Sequence, residues 1–360
     1  GNTCYRSSVF QCLLACRPLL QLFRDEKILK ILSSHFANDL IPTWKSFYGF
    51  CKEFQTKKNM KKAINPQQSL GNCLLSFRSC VAGQQEDAEE FLSFFLDKLH
   101  LEIENLAKNN TCENKTEDFQ QSVEDSEWQE VGKGGVKSFV NRQAEARADA
   151  VKSIITTIFY ANLRYEVKRP GETLSVMIEP FNCLQLPVPP QKSSKNASEI
   201  SIVDLMGDFF ADEILEGVKG EKTGSKTAKR RTFLESLPNV LTVNLKQYNF
   251  VAGQSEAQRI GRDIKFSHIL EVPDKFLGPF ARLDAKKNGR SYQLFAAVVH
   301  FGKTSDNASA GHYIAFVKNK KVWLLCDDSK VTEISESHVI GSTAQFGGAP
   351  YLLFYERQPK

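Results

Sequence analysis

Two hydrophobic periods divide this sequence, and their order limits what it can fold into. Ala88, Phe91, Leu92, Phe95, Leu96, Leu99 and Ile103 recur every three or four residues, with Glu89, Glu90, Asp97 and Lys98 between them. That is the single apolar stripe of an amphipathic helix. Val9, Leu13, Cys16 and Leu20, with Phe10 and Leu14 beside them, repeat the spacing and predict an earlier helix beginning near Cys4. From about residue 239 the pattern changes to short apolar runs: Asn239–Phe250, Tyr292–His300, His312–Val317, Val322–Cys326 and Tyr351–Tyr355. These read as strands, with Asn319-Lys320 suited to a tight turn. Helices first and antiparallel strands last predict an α+β fold.

Three stretches break both periods. Residues 108–135 are polar and acidic, close on Gly132-Lys133-Gly134-Gly135, and read as a flexible surface insertion. Pro187–Asn196 and Lys219–Arg231 are also irregular, and the basic character of the second reads as a solvated loop. A net charge of +5 over 360 residues gives no reason to expect a nucleic-acid partner. No apolar run approaches the roughly 18 residues that span a bilayer, so no membrane association is expected.

Nine cysteines are scattered through the chain and none forms a C-x-x-C pair. An odd, unclustered set argues against a disulfide framework and against a zinc ribbon. Reduced apolar fillers in a cytoplasmic or nuclear protein fit better. The sequence opens on Gly1 rather than Met, and Asn2-Thr3-Cys4 reads as the middle of a motif, so a partial or processed chain is expected.

Cys4 stands where a helix is predicted to begin. Unpaired N–H groups and the helix dipole at such a terminus favour a thiolate and can hold an oxyanion. His312 lies at the start of a strand, after the glycine- and serine-containing segment 301–310. Asp327 and Asp328 follow the tryptophan-bearing strand Val322–Cys326. An antiparallel hairpin returns the end of that strand to the start of the previous one, which puts Asp327 within reach of His312. Taken singly, each residue is better explained as structure: a buried thiol, a satisfied histidine, a polar turn with Ser329. Together, a cysteine near the start with histidine and acid far downstream is an order used by papain-like thiol hydrolases. His300 reads as a residue shaping the loop before His312, and His268 as a turn residue.

Four segments in order resemble the ubiquitin-specific proteases: Gly1-Asn2-Thr3-Cys4-Tyr5 with Ser8–Leu13; Gln85–Leu92; Leu237–Leu241 through Leu245–Tyr248; and Gly311-His312-Tyr313 with Trp323 and Asp327-Asp328. The resemblance covers nearly the whole chain. It implies a papain-like cysteine protease with fingers–palm–thumb architecture in a single catalytic domain. Residues 1–107 would form the thumb, 108–135 the insertion, 136–235 the fingers and part of the palm, and 236–360 the palm. It implies hydrolysis of the isopeptide or peptide bond after ubiquitin's C-terminal glycine by a monomeric enzyme. Ubiquitin and ubiquitinated proteins would be the partners, and no cofactor is called for. Cys4, His312 and Asp327 would be the triad, assisted by Asp328, with Gln85, Asp87 and Tyr313 near the ubiquitin tail.

Three departures accompany the resemblance. The family's oxyanion-hole asparagine stands five residues before the cysteine, a position that precedes Gly1, and loss of one such donor costs roughly 10²–10³ in rate. The C-x-x-C pairs that bind zinc in many members' fingers are absent around Glu166–Gly171 and Gly217–Lys222, so no metal is expected. Gln247 and Arg6 replace a usual arginine and methionine. Three readings compete with a deubiquitinase: a ubiquitin-binding module that has lost its chemistry, a protease for a ubiquitin-like modifier, and a transglutaminase-type acyltransferase.

Overall fold

The computed structural model describes residues 3–36, 38–56, 64–77, 86–112, 128–131, 138–141, 153–190, 200–217, 227–250, 257–260, 262–302, 311–340 and 348–360. Six helices come first: α1 (Cys4–Ala15), α2 (Arg17–Leu22), α3 (Glu26–Phe36), α4 (Pro42–Thr56), α5 (Pro66–Leu74) and α6 (Ala88–Cys112). The apolar spacing from Val9 to Leu20 predicts one continuous helix, but the chain breaks at Cys16, which is extended at ψ 100°. Pro18 has no N–H to carry the first helix onward and is at home in the first turn of the next.

Most of the stripe on α6 is buried: Ala88, Phe91, Leu92, Phe95, Leu96 and Leu99 are fully inaccessible, and Ile103 is partly buried against the same core. Phe10 meets Phe91 and Phe95 edge-on at centroid distances of 5.4 and 5.2 Å, and Phe47 meets Phe95 at 5.2 Å. Edge-to-face pairs of this kind add to the area they bury. Trp44 donates its indole N–H to the Leu99 carbonyl at 2.8 Å, so its polar atom is satisfied in the core.

The strands follow: β1 (Trp128–Val131), β2 (Ser138–Asn141), β3 (Ala161–Lys168), β4 (Leu174–Phe181), β5 (Leu184–Pro187), β6 (Ile200–Ser201), β7 (Glu213–Glu216), β8 (Thr227–Leu234), β9 (Val240–Lys246), β10 (Tyr248–Phe250), β11 (Ala257–Arg259), β12 (Ile264–Lys265), β13 (Ile269–Glu271), β14 (Ser291–Phe301), β15 (His312–Asn319), β16 (Val322–Asp327), β17 (Lys330–Ile334) and β18 (Gly348–Arg357). Among the described residues, further α-helices lie between the strands: α7 (Ile154–Phe159), α8 (Ile202–Phe209), α9 (Pro279–Asn288) and α10 (Glu336–Ile340). One sheet has the order β1-β2-β4-β3-β8-β7; a larger one runs β17-β16-β15-β14-β18-β9-β5, with β13 added on β14.

The central strands of the larger sheet are buried on both faces, while its edge strand β17 is mostly exposed. Along β15, Tyr313, Ala315 and Val317 join the core shared with the helices, while Ile314 and Phe316 join a second core that includes α8 and α9 residues. Alternation at period two produces this division. Helix α1 lies against β14, β15 and β16 on the first face.

Two irregular stretches are shorter than the sequence implies. Helix α6 runs on to Cys112, into the 108–135 span expected to be a loop, because Leu106 still packs on the core and Lys108 bridges to Glu104 at 3.1 Å one turn back. Trp128–Val131, inside the same span, is a strand paired with Ser138–Asn141. The basic run at 219–231 gives way to β8 at Thr227. There Arg230 pairs with Glu213 across the strands at 2.5 Å, and Lys229 and Arg231 pair with Asp212 at 2.6 and 3.2 Å. Cross-strand charge pairs of this kind support a strand where composition alone reads as loop. The remainder of these spans, 113–127, 132–135 and 219–226, and residues 191–196 of the Pro187–Asn196 stretch, lie outside the described residues.

Candidate active site

The thiol is set by α1. Cys4 is the first residue of the helix, and Thr3 before it supplies no side-chain cap. Cys4 is 7% exposed. Burial pushes its pKa up; a hydrogen bond from the Tyr313 backbone pulls the other way, and the Asp328 charge adds to the rise. The net direction is upward, because desolvation by burial is the largest influence on this thiol. The first-turn N–H groups of Cys4 and Tyr5 pull the pKa down, as expected of the helix terminus, and burial opposes them more strongly.

The histidine and acid are set by one hairpin. Ala315 pairs with Cys326 and Phe316 with Leu325, and Asn319 pairs with Val322 around a two-residue turn at Lys320-Lys321. Lys320 takes the positive φ of 56° that such turns use. Continuing this register places residue 314 opposite residue 327, so His312 and Asp327 are diagonal neighbours on one face. His312 Nε2 and Asp327 Oδ1 lie 2.6 Å apart, with the side chains 39% and 47% exposed. Since Nε2 faces the carboxylate, Nδ1 is the nitrogen left to act as a base. Among the described residues Cys4 and His312 are not hydrogen-bonded to each other. They are linked through Tyr313, which follows the histidine and whose backbone reaches the thiol.

Asp328 opens the turn into β17 with a φ of 49°. It is both a turn residue and a member of the site: among the described residues, His312, Asp327 and Asp328 are the group whose donor atoms fall within 4.8 Å of one another. A cation there would compete with the His312–Asp327 bond, and the pairing of ring nitrogen with carboxylate reads as a positioned base.

The remaining expected residues divide. Tyr313 is buried at 2% exposure. Asp87 precedes α6 and accepts from the backbone N–H of Glu89 at 2.7 Å and of Glu90 at 3.3 Å, while its other oxygen accepts from the Tyr351 hydroxyl. Its carboxylate therefore caps the helix and ties it to β18. Gln85 lies outside the described residues. Gln247 is buried and donates to the Pro350 carbonyl at 2.9 Å, and Arg6 bonds the Tyr5 hydroxyl at 2.7 Å. Arg6 is accommodated locally, whereas Gln247 is satisfied only through its NH₂ group and its Oε1 is buried without a hydrogen-bond partner among the described residues.

Sequence reasoning missed Tyr351 and Tyr248, and gave His300 only a part in loop shape. The ring centroids of Tyr313 and Tyr351 lie 5.5 Å apart, and Tyr248 Oη and His300 Nδ1 are hydrogen-bonded at 2.8 Å. Tyrosines spaced in apolar strands carry no signal that distinguishes a site residue from core.

Comparison with known proteins is consistent with this arrangement. Residues 1–355 match the family described as Ubiquitin carboxyl-terminal hydrolase. Ubiquitin carboxyl-terminal hydrolase 10-B of Xenopus laevis is 30% identical over 393 residues, covering 99% of this chain and 46% of that protein. Probable ubiquitin carboxyl-terminal hydrolase 3 of Schizosaccharomyces pombe is 30% identical over 395 residues, covering 99% of this chain and 73% of its own length. The chain thus spans about half the length of several curated relatives. A yeast SAGA DUB module has a chain that superposes with a TM-score of 0.67 at 20% identity, covering 100% of this chain and 68% of that one. A SAGA DUB module bound to ubiquitin aldehyde gives 0.67 at 21%, covering 100% and 69%. At that identity the likeness speaks to fold, and it bears out the α+β, papain-like fingers–palm–thumb expectation.

Proposed function

Because the chain belongs to the ubiquitin carboxyl-terminal hydrolase family, we propose that it is a cysteine-type deubiquitinase whose triad is Cys4, His312 and Asp327. The observation that carries the residue assignment is the 2.6 Å His312–Asp327 bond at the open end of a hairpin whose next residue, Tyr313, has its backbone close enough to the Cys4 thiol to pull its pKa down.

The first step is proton transfer from Cys4 Sγ to His312 Nδ1. The sulfur attacks the carbonyl carbon of ubiquitin's terminal glycine, and the carbonyl electron pair moves onto oxygen. First-turn N–H groups of α1, beginning with that of Cys4, stabilise that oxyanion. Asp327 holds the imidazolium in place and offsets its charge. The tetrahedral intermediate collapses, the C–N bond breaks, and His312 passes its proton to the leaving amine. Water, deprotonated by His312, then attacks the thioester and releases the thiol. The Asp328 charge raises the cost of a thiolate at Cys4. The partners under this reading are ubiquitin and ubiquitinated proteins, met by a monomer in the cytoplasm or nucleus. Asp87 and Tyr313 stand by the thumb–palm seam through which the tail would pass.

The test is covalent capture. The full-length protein is treated with ubiquitin bearing a C-terminal thiol-reactive warhead, in parallel with ubiquitin-like modifiers carrying the same group. An adduct with ubiquitin that disappears in Cys4→Ala is the expected result. Capture of a ubiquitin-like modifier in its place would overturn the substrate assignment. No adduct with any of them would overturn the enzyme reading.

A further inference from the structure

We infer that His300 is a positioning residue for this reaction: its buried imidazole sets where the chain enters β15, and with it the approach of Cys4 to His312. The inference rests on the assignment of Cys4 and His312 as the reacting pair. His300 lies on β14 directly across from Tyr313, and Phe301 lies across from His312. At 1% exposure it is among the most buried polar residues of the protein. A histidine so placed is held by specific partners. Its Nδ1 is hydrogen-bonded to Tyr248 Oη at 2.8 Å, and its ring centroid lies 4.4 Å from that of Tyr313 and 6.4 Å from that of Tyr351.

Gly311 rests against this ring. A Cβ at position 311 would come within 2.4 Å of His300 Nε2, 2.6 Å of its Cε1 and 2.4 Å of the Phe301 carbonyl oxygen. The φ of +148° at Gly311 is likewise open to glycine and strained for other residues. The backbone at 311 therefore leaves no room for a side chain between itself and the imidazole. The next residue is His312, and the one after it is Tyr313, whose backbone lies close enough to the Cys4 thiol to pull its pKa down. One ring thus supports the residue before the base and packs on the residue that holds the nucleophile. Tyr248 acts at one remove, by fixing the orientation of the ring. A displacement on the order of 1 Å at reacting groups can cost about 10²-fold in rate, so a support of this kind has kinetic weight.

The test uses the full-length protein and ubiquitin carrying a C-terminal fluorogenic amide. His300→Ala should lower kcat by roughly 10- to 100-fold while KM stays within about threefold, the signature of lost transition-state alignment. Tyr248→Phe keeps the ring volume at 248 and should lower kcat by a smaller factor, with KM again held. In His300→Ala, adding Tyr248→Phe should cost nothing further, because the tyrosine acts through the histidine. His300→Asn, which restores a polar group near the Nδ1 position, should recover part of the loss. Unchanged kcat in the single variants, a loss confined to KM, or full additivity in the double variant would overturn the inference. If His300→Ala fails to fold, the kcat of Tyr248→Phe decides alone. Wild-type protein without activity, or Cys4→Ala with it, would instead overturn the assignment of the reacting pair.

Discussion

At the residue scale, two opposing effects meet on Cys4. The first turn of a helix favours a thiolate, and burial disfavours it; the balance falls on the side of burial. In a His312→Ala variant, which isolates the thiol from its base, alkylation of Cys4 by iodoacetamide should rise with pH along a titration centred above the ordinary thiol value of about 8.5. The sign follows from desolvation, which penalises the charged form. Mass spectrometry of the Cys4 peptide across pH 6–10.5 reads this out; a midpoint below the ordinary value would contradict it. This balance was not legible in the sequence, where helix position is visible and burial is not. The His312–Asp327 contact was more legible. It needs only two strands, a short turn and the antiparallel rule, all present in residues 312–327. His300 was the least legible, since its role depends on Gly311 closing over it from a different strand.

At the element scale, the site lies where the helical half meets the larger sheet, so the bonds across that seam matter. Asp87 joins them by capping α6 with one carboxylate oxygen and accepting from Tyr351 on β18 with the other. Further along the same seam, Ser93 donates to Asn182 at 3.2 Å, and Lys246 approaches the buried Glu89 at 3.8 Å. Tyr351→Phe leaves the ring packing on Tyr313 intact and removes one charge-assisted bond, which should cost about 1.5–3 kcal/mol. Asp87→Ala removes the cap as well and should cost a further 0.5–2 kcal/mol or so. Guanidinium unfolding of the three proteins checks the order; equal stability of the two variants would show that the cap contributes nothing. The helices and strands at this seam follow from periodicity, and their existence was readable. The break between α1 and α2 was signalled by Pro18 yet masked by an apolar spacing that runs straight through it. The end of α6 at Cys112 was masked by polar composition, which cannot distinguish an exposed helical turn from a loop.

At the scale of the whole molecule, the scattered cysteines have a collective consequence. They do not cluster in sequence, yet Cys12, Cys16, Cys51 and Cys326 all fall in the core between the helices and the larger sheet. Burial pushes the pKa of Cys16, Cys51 and Cys326 up to about 12, and raises those of Cys12 and Cys183 as well. Below about pH 8.5 these thiols are protonated in both the folded and unfolded chain and contribute no pH dependence. Above that value the unfolded chain loses their protons while the folded protein keeps them. The unfolded state then binds fewer protons, so stability falls as pH rises, by about 1.4 kcal/mol per pH unit for each such group. Three groups alone amount to about 4 kcal/mol per unit, against a total of about 5–15 kcal/mol for a typical domain. The buried Tyr292 and Tyr355 have pKa values raised by the same cause and deepen the loss above about pH 10. Guanidinium unfolding under reducing conditions at pH 7.5, 9 and 10 should therefore show a midpoint that falls at each step, most steeply between pH 9 and 10. A midpoint flat across that range would mean that these thiols reach solvent in the folded protein, contrary to the packing of the helices on the sheet.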